Sequence, residues 1–233
     1  VIETSGQQRL DLYADDTGVM DSGSYRDGYT HTISRLDAGS NYIIVLSTYK
    51  TTMTGSLRLK VSCSIPDVEI ESIPNEGAGM LLRSISASFR GASAAGCSNF
   101  NNYKSNPKYC FTVSSRSMAI NVKMIVRLHV KGLPVNLSLY CLQKGDYDIT
   151  TNDPKMVLRD TPHQHLVPKR ALLTSNKGIY SERPCGVALY TKTLLEPGLY
   201  MLVPSTFDPS EVDYSLTIYT NCRMLLASIR LLD

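Results

Sequence analysis

The end of the chain repeats its beginning. Gly39-Ser-Asn-Tyr-Ile-Ile-Val-Leu-Ser-Thr-Tyr49 reappears as Gly198-Leu-Tyr-Met-Leu-Val-Pro-Ser-Thr-Phe207. An alternating segment precedes each copy, Tyr29-Thr-His-Thr-Ile-Ser-Arg-Leu36 and Leu189-Tyr-Thr-Lys-Thr-Leu-Leu195. Another follows each, Ser56-Leu-Arg-Leu-Lys-Val-Ser62 and Ser215-Leu-Thr-Ile-Tyr-Thr220. The copies lie about 160 residues apart, a domain-sized interval far beyond the roughly 20–50 residues of a solenoid repeat. A duplicated scaffold of this kind points to binding and positioning before it points to chemistry.

Period-2 alternation of apolar and polar residues, rich in β-branched and aromatic side chains, predicts strands at 28–36, 41–49 and 55–63. A further strand is expected around Leu10, Leu12 and Ala14. Two prolines and several acids make 65–78 read as an extended linker. From residue 79 onward, strands are expected at 81–89, 108–113, 119–130, 136–142, near 156–160 and at 169–174, before the repeated elements close the unit. No long 3.6-residue period appears. The expected class is therefore all-β, with antiparallel β-sandwiches in tandem. Residues 1–64 would be the closing part of a first sandwich, and 79–233 a complete second one. The first copy is too short to be whole, so its missing strands would come from upstream or from a swapped second chain. The tail Arg223–Leu232 reads as a strand or as a short helix carrying Leu225, Ile229 and Leu232 on one face, the latter suited to a groove-binding partner.

Hydrophobic residues make up 42% of the chain and charged ones 19%, which supports a packed core and excludes a disordered chain. A net charge of +3 allows an acidic partner without requiring one. Six cysteines stand at 63, 97, 110, 141, 185 and 222, with no Cys-x-x-Cys pair and no zinc spacing to histidine. We expect reduced, mostly buried thiols in a cytoplasmic protein. A secreted, disulfide-linked adhesion sandwich is the competing reading of the even count. On the cytoplasmic reading the sequon at Asn136-Leu-Ser138 carries no information.

One stretch is more specific. Ser88-Phe89-Arg-Gly91-Ala-Ser-Ala-Ala-Gly96-Cys97-Ser-Asn99-Phe100 is followed by Asn106-Pro107-Lys-Tyr109. It resembles the opening of the C2-like β-sandwich, domain III, of calpain-family cysteine proteases. There an aromatic residue, a Gly-Cys-x-Asn turn and Asn-Pro-x-Tyr follow in that order. Phe89 stands where tryptophan is usual, and Ala95 where a second glycine is usual. The closing Pro197-Gly198-Leu-Tyr200-Met-Leu-Val-Pro204-Ser-Thr-Phe207 is similar to that domain's final segment. Two such sandwiches in tandem look most like the C-terminal region of the fungal PalB-type branch. The resemblance implies a thiol endopeptidase as the full-length protein, processing a zinc-finger transcription factor in alkaline-pH signalling. It also implies an ESCRT-III component, the substrate factor or the protease core as partner, and recruitment to endosomes.

The residues themselves read as scaffold. Gly91 and Gly96 would allow positive φ or close backbone approach, and Pro107 and Pro197 would set turns. Tyr200 and Phe207 would bury their rings, while Ser47-Thr48 and Ser205-Thr206 would bond local backbone. Calpain chemistry needs cysteine, histidine and asparagine, with the thiolate at a helix N-terminus in a Gly-Asp-Cys-Trp context. The chain has no tryptophan and no Gly-Asp-Cys. Cys97 and Cys185 read as structural thiols, so the chain by itself is expected not to be an enzyme. No metal or cofactor site is expected. His163-Gln-His165 lacks further ligands, and the acids Asp146, Asp148 and Asp153, or Asp15, Asp16, Asp21 and Asp27, are too sparse for calcium. His31 and His129 read as exposed or hydrogen-bonded. Lys155, Arg159, Lys169, Arg170, Lys177, Arg183 and Lys192 form the one basic concentration. It suits an acidic protein segment or an anionic membrane, the latter as the alternative function of a lipid-binding C2-like domain. Aromatic interleaving of the nucleic-acid-binding type is missing, so no nucleic acid is expected.

Overall fold

A computed structural model describes residues 1–4, 20–50, 52–66, 68–114, 122–142, 170–191 and 195–232. The chain divides into two units, Val1–Asn75 and Glu76–Asp233. Among the described residues its regular secondary structure is almost entirely antiparallel β.

In the first unit, β1 (Ile2–Thr4) pairs with β2 (Asn41–Ile43), placing Ile2 opposite Ile43. The strands expected at 28–36 and 55–63 do not form, and that expected at 41–49 shortens to β2. Strands are stable only when paired and covered. Among the described residues the alternating apolar side chains find no cover: Ile33 is 90% and Leu57 68% exposed. The expected strand around Leu10 to Ala14 lies outside the described residues.

The second unit is a two-layer sandwich. Its four-stranded sheet has the order β3 (Leu81–Phe89), β10 (Val212–Thr220), β5 (Met124–Val130), β8 (Val187–Tyr190). The five-stranded sheet runs β11 (Arg230–Leu232), β4 (Lys108–Val113), β9 (Gly198–Thr206), β6 (Val135–Cys141), β7 (Leu173–Thr174). Strands β5 and β10 alternate buried with less buried residues, because only one face meets the core. Val126, Leu128, Leu216 and Ile218 point inward from one sheet, and Phe111, Leu137, Leu139 and Leu202 from the other. Strands β4 and β9 are buried along their whole length. A second apolar cluster of Cys110, Tyr140, Leu199, Met201, Val203 and Leu232 explains this. Two covered faces remove the alternation and leave near-continuous apolar runs. The sheets are bolted together by Tyr109 and Tyr214, whose buried hydroxyls lie 2.8 Å apart.

Of the expected strands at 119–130 and 169–174, residues 119–121 and 169 lie outside the described residues; the described parts form strand at Met124–Val130 and at Leu173–Thr174. The one expected near 156–160 lies outside the described residues. The tail is both helix and strand: α1 (Arg223–Ser228) leads into β11, which pairs with β4. Leu225 and Ile229 are fully buried and Leu232 is 6% exposed. The predicted apolar face thus belongs to this unit's own interior rather than to a partner.

Glu76 opens the second unit and is bound into it. Its carboxylate accepts bonds from Arg127 Nη2 (2.6 Å), Arg127 Nε (2.8 Å) and the Tyr190 hydroxyl (2.9 Å).

Candidate binding groove

The two segments that carry the resemblance meet in space. Phe89 is fully buried, its ring 4.5 Å from that of Tyr214. The chain then turns at Gly91 (φ +49°), whose N–H donates to the Glu211 carboxylate at 2.8 Å. At Gly96 (φ +76°) a Cβ would stand 2.8 Å from the Pro209 ring and backbone nitrogen. Only glycine fits a left-handed residue pressed against another strand's exit. The next residue closes the link: Cys97 N–H donates to the Phe207 carbonyl at 3.0 Å. Asn106, buried, donates from Nδ2 to the carbonyls of Gly96 (2.8 Å) and Tyr103 (3.0 Å), holding the turn shut. Pro107 leads into β4, and Pro197 and Gly198 into β9. Tyr200 is buried, stacked on Phe111 at 5.4 Å, and its hydroxyl donates to the Glu196 carbonyl. Pro204 sits within β9, yet the β4 ladder ends at Leu202, so its missing N–H costs no bond on that side.

Phe207 departs from expectation. It is 43% exposed and lies outside the core. Its ring meets that of Tyr180 edge-on at 5.6 Å. Together with Cys97, Ser98, Asn99, Pro134 and Ile179 they line a groove of about 570 Å³. Asn99 is exposed on one wall. The opposite wall is set by three successive left-handed residues, Asn176 (φ 48°), Lys177 (φ 55°) and Gly178 (φ 87°). Asparagine and glycine tolerate this region, whereas lysine pays about 1–2 kcal/mol. The strain is held by bonds to β6. Ser175 Oγ accepts from Leu137 N–H at 2.9 Å, and Asn136 Nδ2 donates to the Ser175 carbonyl at 3.0 Å. The result presents Lys177 and Ile179 outward, the latter 63% exposed. It also buries Asn136 at 2% exposure, which closes the sequon to modification in the folded state.

The serine-threonine pairs divide their work. Thr206 Oγ1 donates to the Asp208 carbonyl (2.6 Å) and Thr48 Oγ1 to that of Lys50 (2.9 Å), as expected. The serines do not bond backbone. Ser205 Oγ lies 2.7 Å from the Tyr180 hydroxyl, and Ser47 Oγ lies 2.9 Å from that of Tyr25. Tyr25 also meets Tyr49 edge-on at 5.5 Å, as Tyr180 meets Phe207. The repeated Ser-Thr-aromatic triplet therefore makes the same three contacts within each unit. Tyr25 and Tyr180 escaped the sequence reading. A signal was present, since both stand in Gly-x-Tyr, and Gly23 (φ 77°) and Gly178 share the left-handed conformation. Burial and the neighbouring Cys97 help push the Tyr180 phenol up to about 12, so it stays neutral.

Of the basic residues, Arg170, Lys177 and Arg183 are described. Lys177 tops the left-handed turn, and Arg183 donates from Nε to Ser181 Oγ at 3.3 Å. Lys155, Arg159, Lys169 and Lys192 lie outside the described residues, as do Asp15, Asp16, Asp146, Asp148, Asp153, His163 and His165. Asp21 accepts the Gly23 N–H at 2.7 Å, a turn-forming role. His31 is exposed against Tyr29, and His129 Nε2 lies 3.1 Å from the Pro184 carbonyl. No disulfide joins the six cysteines; Cys97, Cys110 and Cys222 are buried, while Cys63, Cys141 and Cys185 are exposed. The expectation of mostly buried thiols thus holds for half of them. Among the described residues no helix is long and apolar enough to cross a membrane.

No protein-family model matches the chain. Over 208 residues it is 26% identical to a calpain-like protease palB/RIM13 of Cryptococcus neoformans var. neoformans serotype D, strain JEC21. The same values hold for the corresponding protein of strain B-3501A. The match covers 89% of this chain and 22% of each relative. The chain is thus distantly related to calpain-like proteases of the palB/RIM13 kind and spans about a fifth of their length.

Proposed function

We propose that this chain is a non-catalytic, C2-like binding and positioning module of a calpain-like cysteine endopeptidase. The observation that carries this reading is the fate of Cys97. Its residue is 3% exposed and its N–H is spent on the Phe207 carbonyl, so the motif cysteine serves the fold. Distant relationship to calpain-like proteases supports the family of the whole enzyme. The exposed Phe207, Ile179 and Lys177 around the groove support a recruiting role. By its resemblance, the full-length protein would process a zinc-finger transcription factor in alkaline-pH signalling, recruited from the cytoplasm to endosomes through an ESCRT-III component. The tandem arrangement of a partial and a complete sandwich is part of the same proposal.

The isolated chain is expected to leave casein intact, while its removal from the full-length protease abolishes cleavage of the factor. Hydrolysis by the isolated chain that disappears in Cys97→Ala overturns the reading. Sedimentation with anionic vesicles, with and without EGTA, tests the lipid-binding alternative. Binding there, with no effect of deleting the chain on processing, would favour a membrane module instead.

A further inference from the structure

Among the described residues the sandwich is well covered along one flank and less so along the other. Edge strand β8 turns Val187 and Leu189 inward, and each is 2% exposed. Edge strand β3 turns Arg83, Ile85 and Ala87 inward, and all three remain only half-buried. Nine residues long, β3 pairs with β10 from Val212↔Phe89 to Thr220↔Leu81 without a bulge. Among the described residues its backbone bonds only to β10, apart from the Phe89 carbonyl, which takes the Arg90 guanidinium. It carries no proline, and its single charged residue, Arg83, is folded inward. Natural edges usually protect themselves with such devices.

Facing it across the mouth of the sandwich is the edge strand of the other sheet, β11. Between them lies a cavity of about 210 Å³ floored by Ile85, Ala87, Tyr109 and Ile229. An apolar cavity of about 150 Å³ holds a benzene, so this one takes a large apolar side chain. Two guanidiniums form its rim. Arg83 Nη1 donates to the carbonyls of Leu226 (2.9 Å) and Ile229 (3.2 Å). Arg230 Nη1 donates to those of Ala227 (2.6 Å) and Ile229 (2.9 Å). Among the described residues neither has a carboxylate partner, and no acid lines the cavity.

We propose that β3 accepts an extended acidic-apolar segment of a partner protein as a fifth strand of its sheet. A row of free backbone donors and acceptors is matched only by another strand. Alternate side chains of that strand face the mouth, where one apolar residue fills the cavity and flanking carboxylates meet Arg83 and Arg230. The segment would complete the cover that β3 lacks. This deepens the reading of the chain as a binding module by naming the partner's chemistry.

The test uses the whole chain and a ten-residue peptide alternating Glu with Leu and Val, read by fluorescence anisotropy and amide hydrogen exchange. Binding should slow exchange at 81–89 and leave β8 unchanged. Arg230→Glu should weaken the peptide about tenfold or more and should instead favour a Lys-containing version. Ala87→Glu, which places a charge in the mouth, should abolish binding of the acidic peptide, with an unchanged circular dichroism melt showing an intact fold. Affinity in both variants equal to that of the unaltered chain overturns the proposal. So does full protection of 81–89 in the free chain, or protection that appears only with concentration-dependent dimerisation. No protease is involved, so failure here leaves the processing experiment standing.

Discussion

At the residue scale, two glycines of one motif do different jobs. Gly91 needs only its positive φ, since a Cβ there meets open space. Gly96 needs both its φ and the absence of a Cβ. Gly91→Ala should therefore cost about 1 kcal/mol, and Gly96→Ala clearly more, about 2–4 kcal/mol, by urea denaturation. A smaller loss at Gly96 than at Gly91 would contradict this account. The Tyr109–Tyr214 hydroxyl pair makes a second case. Tyr109→Phe strands the Tyr214 hydroxyl in the core and should cost about 1–3 kcal/mol. Adding Tyr214→Phe should recover part of that loss, because no orphan remains. A double-mutant cycle with additive losses would show that the bond does not form.

At the element scale, the tail is the instructive case. Three apolar residues at helical spacing read equally well as a partner-binding face and as a core face. The turn that starts at Cys222 resolves it. Cys222 Sγ accepts the Leu225 N–H at 3.5 Å, and Arg83 of β3 donates to the carbonyls of Leu226 in the helix and of Ile229 just past its end. Helix α1 thus plugs the end of the sandwich. Leu225→Ala should cost about 2–5 kcal/mol, like other large-to-small changes at full burial. A helix that served only a partner would lose almost nothing in the same thermal melt. The first unit shows the converse. The alternation at 28–36 is as regular as that of β5, yet no strand forms, because pairing and cover come from elsewhere in a sheet.

At the scale of the whole molecule, burial of neutral acids ties the fold to pH. Burial holds the Cys110 thiol up at about 12 against an ordinary 9.0, and Tyr180 at about 12 against 10.0. Burial also raises the phenols of Tyr103, Tyr109 and Tyr214. Each folded value lies above the unfolded one, so the unfolded chain releases these protons first. Their contribution is complete below about pH 9 and is lost as pH rises from 9 towards 12. Buried Lys108, whose ammonium is disfavoured by desolvation, acts in the opposite sense. The melting temperature should therefore fall steeply above pH 9 to 10. The share of phenolate absorbance at 295 nm owed to buried Tyr103, Tyr109, Tyr180 and Tyr214 should appear in one cooperative step at unfolding, after the exposed tyrosines such as Tyr29 and Tyr49 have ionised; gradual titration of these four in the folded state would contradict this.

How much was legible divides along physical lines. The all-β class and most strands of the second unit follow from period-2 patterning, which is local. The scaffold roles of Gly96, Asn106 and Tyr200 follow from residue types that only certain backbone shapes accept. The outward turn of Phe207 is not legible, because an aromatic at a strand's end looks the same whether it turns inward or outward. Strand pairs in the first unit were overestimated because alternation records what a strand needs and not whether it is supplied. By itself, the sequence determined the strand periodicity, the duplicated Ser-Thr-aromatic triplets and the distant kinship with calpain-like proteases. Tertiary structure alone decided that the triplets clasp Tyr25 and Tyr180, that the tail closes the core, and that β3, among the described residues, pairs on one side only. Those outcomes depend on contacts between residues far apart in the chain, which no local pattern encodes.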